Sequence, residues 1–133
     1  MGQLEGRPRE LLEDRNFADV GVIRSDGTPH IVPVWVDVED GVVRLNSAEG
    51  RLWPKLARRD PRITVTVQNM QNPYEYAEIR GHVVDATHEG ADEHIDALAK
   101  KYLGQEKYPF RRPSEQRVMF RIAPDRVHYH ASG

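Results

Sequence analysis

The sequence contains no cysteine. That excludes a disulfide framework, a thiolate nucleophile and any cysteine metal site. Long apolar runs are also missing: no stretch approaches the ~20 residues of a membrane-spanning helix. The opening MGQLEGRPRELLEDR lacks the apolar core of a signal peptide, so a soluble, cytoplasmic protein with no membrane partner is expected. Aromatic residues are scarce, at 8%. Neither sign of charge dominates, since 19 Lys and Arg stand against 21 Asp and Glu for a formal net charge of −2. A chain with that balance offers no extended basic face, so nucleic acid is not an expected partner. The 133 residues suit one domain with a single modest core, residues 1–16 forming an N-terminal helix and arm.

What basic charge there is lies close together. The stretch Asn46 to Arg62, NSAEGRLWPKLARRDPR, holds Arg51, Lys55, Arg58, Arg59 and Arg62 between two strand-like segments. Local charge on a chain of near-neutral balance points to a small anionic ligand rather than a long polyanion. Pro54 lacks an N–H and fixes φ, which predicts a short helix starting at Pro54 and ending near Arg59. Free N–H groups at such a helix start, with the Arg51 guanidinium just upstream and Lys55 in the first turn, would suit a phosphate monoester. Charge alone leaves the alternative open that Arg58 and Arg59 only offset the helix dipole while Lys55 is solvated.

Elsewhere the pattern is mostly that of strands. A short helix is expected over Arg9 to Asn16, followed by strand ADVGVIR. Asp26-Gly27 and Asp40-Gly41 are hairpin signals, and HIVPVWVDV between them alternates with period two. Val32, Val34, Val36 and Val38 share one side, and Ile31, Pro33 and Trp35 the other. A strand apolar on both faces needs cover on both, from its own core and from a second subunit or a flat cofactor. Pro33 cannot donate to a ladder and marks an edge or a bulge. VVRLNS, ITVTVQN, AEIRGHVVDA, RVMFRIA and RVHYH read as further strands. Ile95, Leu98, Ala99, Tyr102 and Leu103 form a helical stripe over Ala91 to Leu103, capped by Gly104. About seven strands and a few short helices predict a mainly β, antiparallel barrel.

Taken in order, TPHIVPVWVD, NSAEGRLWPKLARRDPRITVTV, NPYEYAEIRGHVVD, HIDALAKKYLGQEKYPF and RVMFRIAPDRVHYH resemble the pyridoxamine-phosphate-oxidase-like split β-barrel family. Within it the chain is most similar to the short branch that uses coenzyme F-420, a deazaflavin. The resemblance runs from Phe17 onward and is most specific in GR…RRDPR and NPYEYAEIRG. It implies a homodimer of six-stranded split barrels with the cofactor in a cleft at the subunit interface. His30, Ile31, Val32, Pro33 and Val34 would run along the ring system and ribityl chain. Asn46 and Ser47 would hydrogen-bond ribityl or phosphate oxygens, and Arg51 would be the main phosphate ligand. Many relatives place a lysine where this chain has Trp53, so Lys55 is the candidate replacement, and Arg58 would reach the anionic tail. True pyridoxamine phosphate oxidases carry a further C-terminal arginine-rich segment, so pyridoxal phosphate synthesis is not expected.

The resemblance implies an oxidoreductase that moves hydride to an unsaturated small molecule, with the protein supplying stacking, orientation and exclusion of water. No catalytic side chain is assigned. A proton would come from solvent or from Tyr74, Tyr76 or His30, and the two tyrosines would line a substrate cleft or serve as interface aromatics. FMN in place of the deazaflavin is one alternative. A non-catalytic protein carrying cofactor, haem or a tetrapyrrole is another. His82, His128 and His130 form no recognisable ligand set, so no metal is expected.

Overall fold

The computed structural model describes residues 2–131. Its elements follow in the order α1 (Gly6–Glu13), β1 (Ala18–Ile23), β2 (Pro29–Val34), β3 (Val36–Glu39), β4 (Val42–Ala48), α2 (Leu52–Arg59), β5 (Arg62–Asn69), β6 (Asn72–Thr87), α3 (Ala91–Leu103) and β7 (Arg117–His130). Among these residues no helix is long and apolar enough to cross a membrane.

All strands belong to one antiparallel sheet in the order β2-β1-β5-β6-β7-β4-β3. β2 and β3 are its two edges, yet only Trp35 separates them in the chain. A sheet whose opposite edges lie one residue apart must curl round on itself, and that linkage turns it into a barrel. The barrel has seven strands, not the six implied by the resemblance, because the break at Trp35 divides HIVPVWVDV into two strands at opposite edges. The seven-strand reading of the sequence reaches the right number by two compensating errors. It misses that break, and it divides RVMFRIA from RVHYH where β7 runs unbroken through Pro124. Pro124 pairs with Gly81, and the register shifts between Arg80 and Gly81. A Cβ on Gly81 would lie 2.2 Å from the carbonyl oxygen of Ala123. Glycine and proline thus meet at a bend that lets two long strands follow the barrel wall.

The period-two alternation places the core as expected. Val36 is buried, and Val32, Val34 and Val38 pack against the same cluster. Ile63, Val65, Val67, Ala77, Ile79 and Phe120 fill it from the neighbouring strands. Ile31 on the opposite face of β2 is 63% exposed, so within one chain that face has no cover. Pro33 lies on an edge strand, where one row of N–H groups has no ladder partner to lose. Asp40 and Gly41, with φ of 54° and 77°, make the tight turn between β3 and β4.

The two N-terminal helix boundaries move in the same direction. α1 begins at Gly6 rather than Arg9, and α2 at Leu52 rather than Pro54. Proline is the third residue of each helix, not the first. The N–H groups of a first helical turn have no partner within the helix, so proline costs no hydrogen bond anywhere in that turn. α3 packs a smaller cluster of Ile95, Leu98 and Tyr102 onto Trp35 and Tyr108, while Leu103 turns outward.

Candidate functional site

A cavity of about 500 Å³ opens where the end of β4, the start of α2, the edge strand β2 and helix α3 meet. This volume is in the range of cofactor and ligand sites. β2 contributes His30, Val32, Pro33 and Val34, β4 contributes Asn46 and Ser47, and the turn into α2 contributes Arg51 and Trp53. Eight of the residues singled out in the sequence therefore line one space. Ile31, Lys55, Arg58, Tyr74 and Tyr76 do not line it. Tyr74 is exposed, and Tyr76 packs against the rings of His128 and His130.

The basic turn proves to be unequal. Arg58 is held by both oxygens of Glu49, which also bonds His88. Those hydrogen bonds, from Arg58 first, hold the Glu49 carboxyl down to about 2. Arg59 donates to the carbonyl of Ile23 at 2.9 Å, and Arg62 pairs with Asp60 at 2.7 Å. Lys55 is exposed and makes no hydrogen bond or ion pair among the described residues. Arg51 is the N-cap of α2 and offers no side-chain cap to the helix. Among the described residues its single ion pair, to Glu115, is long at 3.4 Å. Of the five cations, only Arg51 and Lys55 are thus largely uncommitted, and only Arg51 lines the cavity.

Ser47 is the most informative residue of the site. It is 1% exposed, and its Oγ is buried with no hydrogen-bond partner among the described residues. A buried hydroxyl left unpaired costs free energy, so its retention beside a cavity needs a reason. Trp53 is buried against Phe120, with ring centroids 4.9 Å apart, and anchors α2 beside the site.

Asn46 is engaged from within. Its Nδ2 donates to the carbonyl of Ala91 at 2.9 Å and to His94 Nδ1 at 3.0 Å, and its Oδ1 accepts from Arg117 Nε at 2.9 Å. Since His94 Nδ1 accepts, its Nε2 carries the proton and donates to Asp37 at 3.0 Å. Asp37 also pairs with Arg44 at 2.7 Å. Burial pushes the Asp37 carboxyl up, but the bonds from His94 and Arg44 outweigh it and hold Asp37 below the usual range. This buried chain fixes the end of β4 and, through it, the cavity floor.

Among the lining residues Arg117, Tyr108 and Phe110 gave no sign in the sequence, whereas Trp35 was already placed on a face needing cover. Arg117 sits at the start of β7 with its side chain 3% exposed, 71 residues from its partner Asn46. Trp35, Tyr108 and Phe110 form an aromatic rim in which Tyr108 contacts both of the others edge-on. Arg117 lies over the Tyr108 ring at 5.2 Å. The pattern RVMFRIA marked a strand but gave no reason to expect its first residue at a site.

The donor set of a buried free hydroxyl, an uncapped helix start and a guanidinium fits a phosphate group, and the apolar walls fit a flat ring. The family model described as pyridoxamine 5′-phosphate oxidase matches residues 4–131. Among solved structures, an F-420 reductase is similar with a TM-score of 0.81 at 23% identity, over 93% of this chain and 98% of that one. An FAD-binding protein from Mesorhizobium loti is similar with a TM-score of 0.67 at 20% identity, over 90% and 88%. HupZ of Group A Streptococcus gives 0.68 at 16% identity, over 95% and 96%. At these identities the likenesses establish the fold. No curated protein matches the chain.

Proposed function

This chain belongs to the pyridoxamine 5′-phosphate oxidase-like split-barrel family, and we propose that within it the chain is a coenzyme F-420-dependent oxidoreductase that reduces an unsaturated small molecule. The observation that carries this reading is the buried, unpaired hydroxyl of Ser47, a residue lining the same cavity as Arg51 and the uncapped start of α2. A phosphate there would supply the missing acceptor for Ser47 while taking charge from Arg51 and N–H bonds from the first turn of α2. The F-420 reductase among its structural relatives supports the same assignment.

When bound, a reduced deazaflavin supplies a hydride, and the two-electron reduction of an unsaturated carbon is completed by a proton on the neighbouring atom. The residues of this chain have the remaining tasks. Val32, Val34 and Trp35 offer an apolar wall that excludes water and orients a flat ring. His30 is the one of the three proton-donor candidates that lines the cavity. Its Nδ1 is tied to Arg24 at 3.2 Å, which leaves Nε2 to hold a proton.

The exposed Ile31 on edge strand β2, with Phe17, Leu52 and Phe110 exposed at the cavity mouth, forms the surface that a second copy of the chain would cover. A homodimer would therefore complete the site, and light scattering should return twice the 15.3 kDa chain mass.

FMN is the second reading, favoured by the FAD-binding relative and by a donor set that a single phosphate could fill. Titration separates the two: added F-420 should lose fluorescence on saturable binding and bind more tightly than FMN. Absence of binding by both would remove the assignment.

A further inference from the structure

A carboxylate pairs with both arginines of the cavity lining. Glu115 Oε1 accepts from Arg117 Nη1 at 2.9 Å, and its Oε2 lies 3.4 Å from Arg51 Nη2. The carboxylate therefore bridges the two guanidiniums that line the cavity. It is placed there by backbone as well as by charge. The Glu115 N–H bonds the Arg112 carbonyl at 3.0 Å, and the next residue, Gln116, accepts from Glu49 N–H at 2.9 Å. Glu115 is 10% exposed at its side chain and Arg117 3%, whereas Arg51 is 54% exposed. Arg117 uses Nε on Asn46 and Nη1 on Glu115, and its Nη2 makes no hydrogen bond among the described residues. One arginine is thus fixed with a donor to spare, and the other is loosely held and able to turn toward a ligand.

Resting on the flavin-type reading above, we propose that Glu115 is a specificity-determining residue: its carboxylate leaves the Arg51–Arg117 seat with one net positive charge and so favours a singly charged phosphodiester over a doubly charged phosphomonoester. Two guanidiniums against one carboxylate give that charge. Coenzyme F-420 carries its phosphate as a diester, and FMN as a monoester with close to two charges at neutral pH. The second charge of a monoester meets the Glu115 carboxylate at close range in a partly desolvated site, where like charges repel strongly. Arg117 becomes the second anion ligand beside Arg51 and Ser47.

The test is Glu115→Gln, which keeps shape and removes charge, with FMN, coenzyme F-420 and riboflavin as probes in binding titrations. Removing one unit of repulsion should tighten FMN by about tenfold and F-420 by less than about threefold, and leave neutral riboflavin unchanged. Glu115→Asp keeps the charge and should retain the wild-type order of preference. FMN affinity that is unchanged or weaker in Glu115→Gln, or an equal gain for both cofactors, overturns the proposal. Should neither cofactor bind either protein, the flavin-type reading fails, and orthophosphate then reads the seat by thermal shift. A larger phosphate-induced rise in Tm for Glu115→Gln than for the wild type sustains the role of Glu115, and equal rises overturn it.

Discussion

Ser47→Ala should move stability and binding in opposite directions. In the ligand-free protein the Ser47 hydroxyl is buried and unpaired, and such a group costs about 1–3 kcal/mol relative to one that is hydrogen-bonded or absent. Deleting it also removes the packing contacts of one atom, which takes back part of that gain. A net stabilisation of about 1 kcal/mol remains, equivalent to a rise in Tm of roughly 3–5 °C for a chain of this length. Ligand binding reverses the order. A hydroxyl donating to a phosphate makes a charge-assisted hydrogen bond, and its loss should weaken binding by about 1.5–3 kcal/mol, or roughly 10- to 150-fold. Because a ligand stabilises only the folded state, saturating cofactor should raise the wild-type Tm further than that of the variant. Melting curves with and without cofactor, together with a fluorescence titration, measure both effects. A ligand-free variant that melts lower than the wild type would show that the hydroxyl has a structural partner. Unchanged affinity would show that it does not face the phosphate.

Arg51→Ala should cost about 1.5–3 kcal/mol of cofactor affinity with the fold intact, while Arg58→Ala, whose guanidinium is committed to Glu49, should leave affinity close to wild type; titration of both checks the division. Gly81→Ala should destabilise the barrel by about 3 kcal/mol or more in a denaturant titration, because a Cβ 2.2 Å from the Ala123 carbonyl forces β6 and β7 apart; a loss below about 1 kcal/mol would mean the bend yields freely. Glu75 is held down to about 2 by hydrogen bonds from Arg7 first and then from Tyr129 and Asn69. Its folded value lies below its ordinary value of 4.5, so its contribution is present above pH 4.5 and is lost as the pH falls toward 2. Thermal melts across that window should show a shallower acid loss in Glu75→Gln than in the wild type.

Local and periodic signals were legible in the sequence, and those made by distant pairing were not. Alternation placed Val32, Val34, Val36 and Val38 on the core side, because a strand's side chains obey period two whatever the sheet does. Of the charge cluster after Asn46-Ser47 only Arg51 lines the cavity, together with its chain neighbours Ser47 and Trp53. Nothing local says that β2 and β3 take opposite edges, because the break at Trp35 leaves the apolar pattern intact. Nor does anything local bring Arg117 to Asn46 or Glu115 to Arg51, pairs that exist only once β4 and β7 align. His94 lies outside the apolar stripe read for α3, yet it is buried as the link between Asp37 and Asn46.

The same contrast decides how the basic turn should be read. Counted along the chain, Arg51, Lys55, Arg58, Arg59 and Arg62 promise a strong positive site. Folded, Arg58 and Arg62 each face a carboxylate, Arg59 serves the end of β1, Lys55 lies off the cavity, and Arg51 shares Glu115 with an arginine that the local count omits. The charge left to attract a ligand is accordingly small and sits beside one unpaired hydroxyl. A site of that kind discriminates by the number and placement of hydrogen bonds more than by bulk field. For this reason an uncharged change, the loss of the Ser47 oxygen, is expected to match the effect on affinity of removing the whole Arg51 side chain.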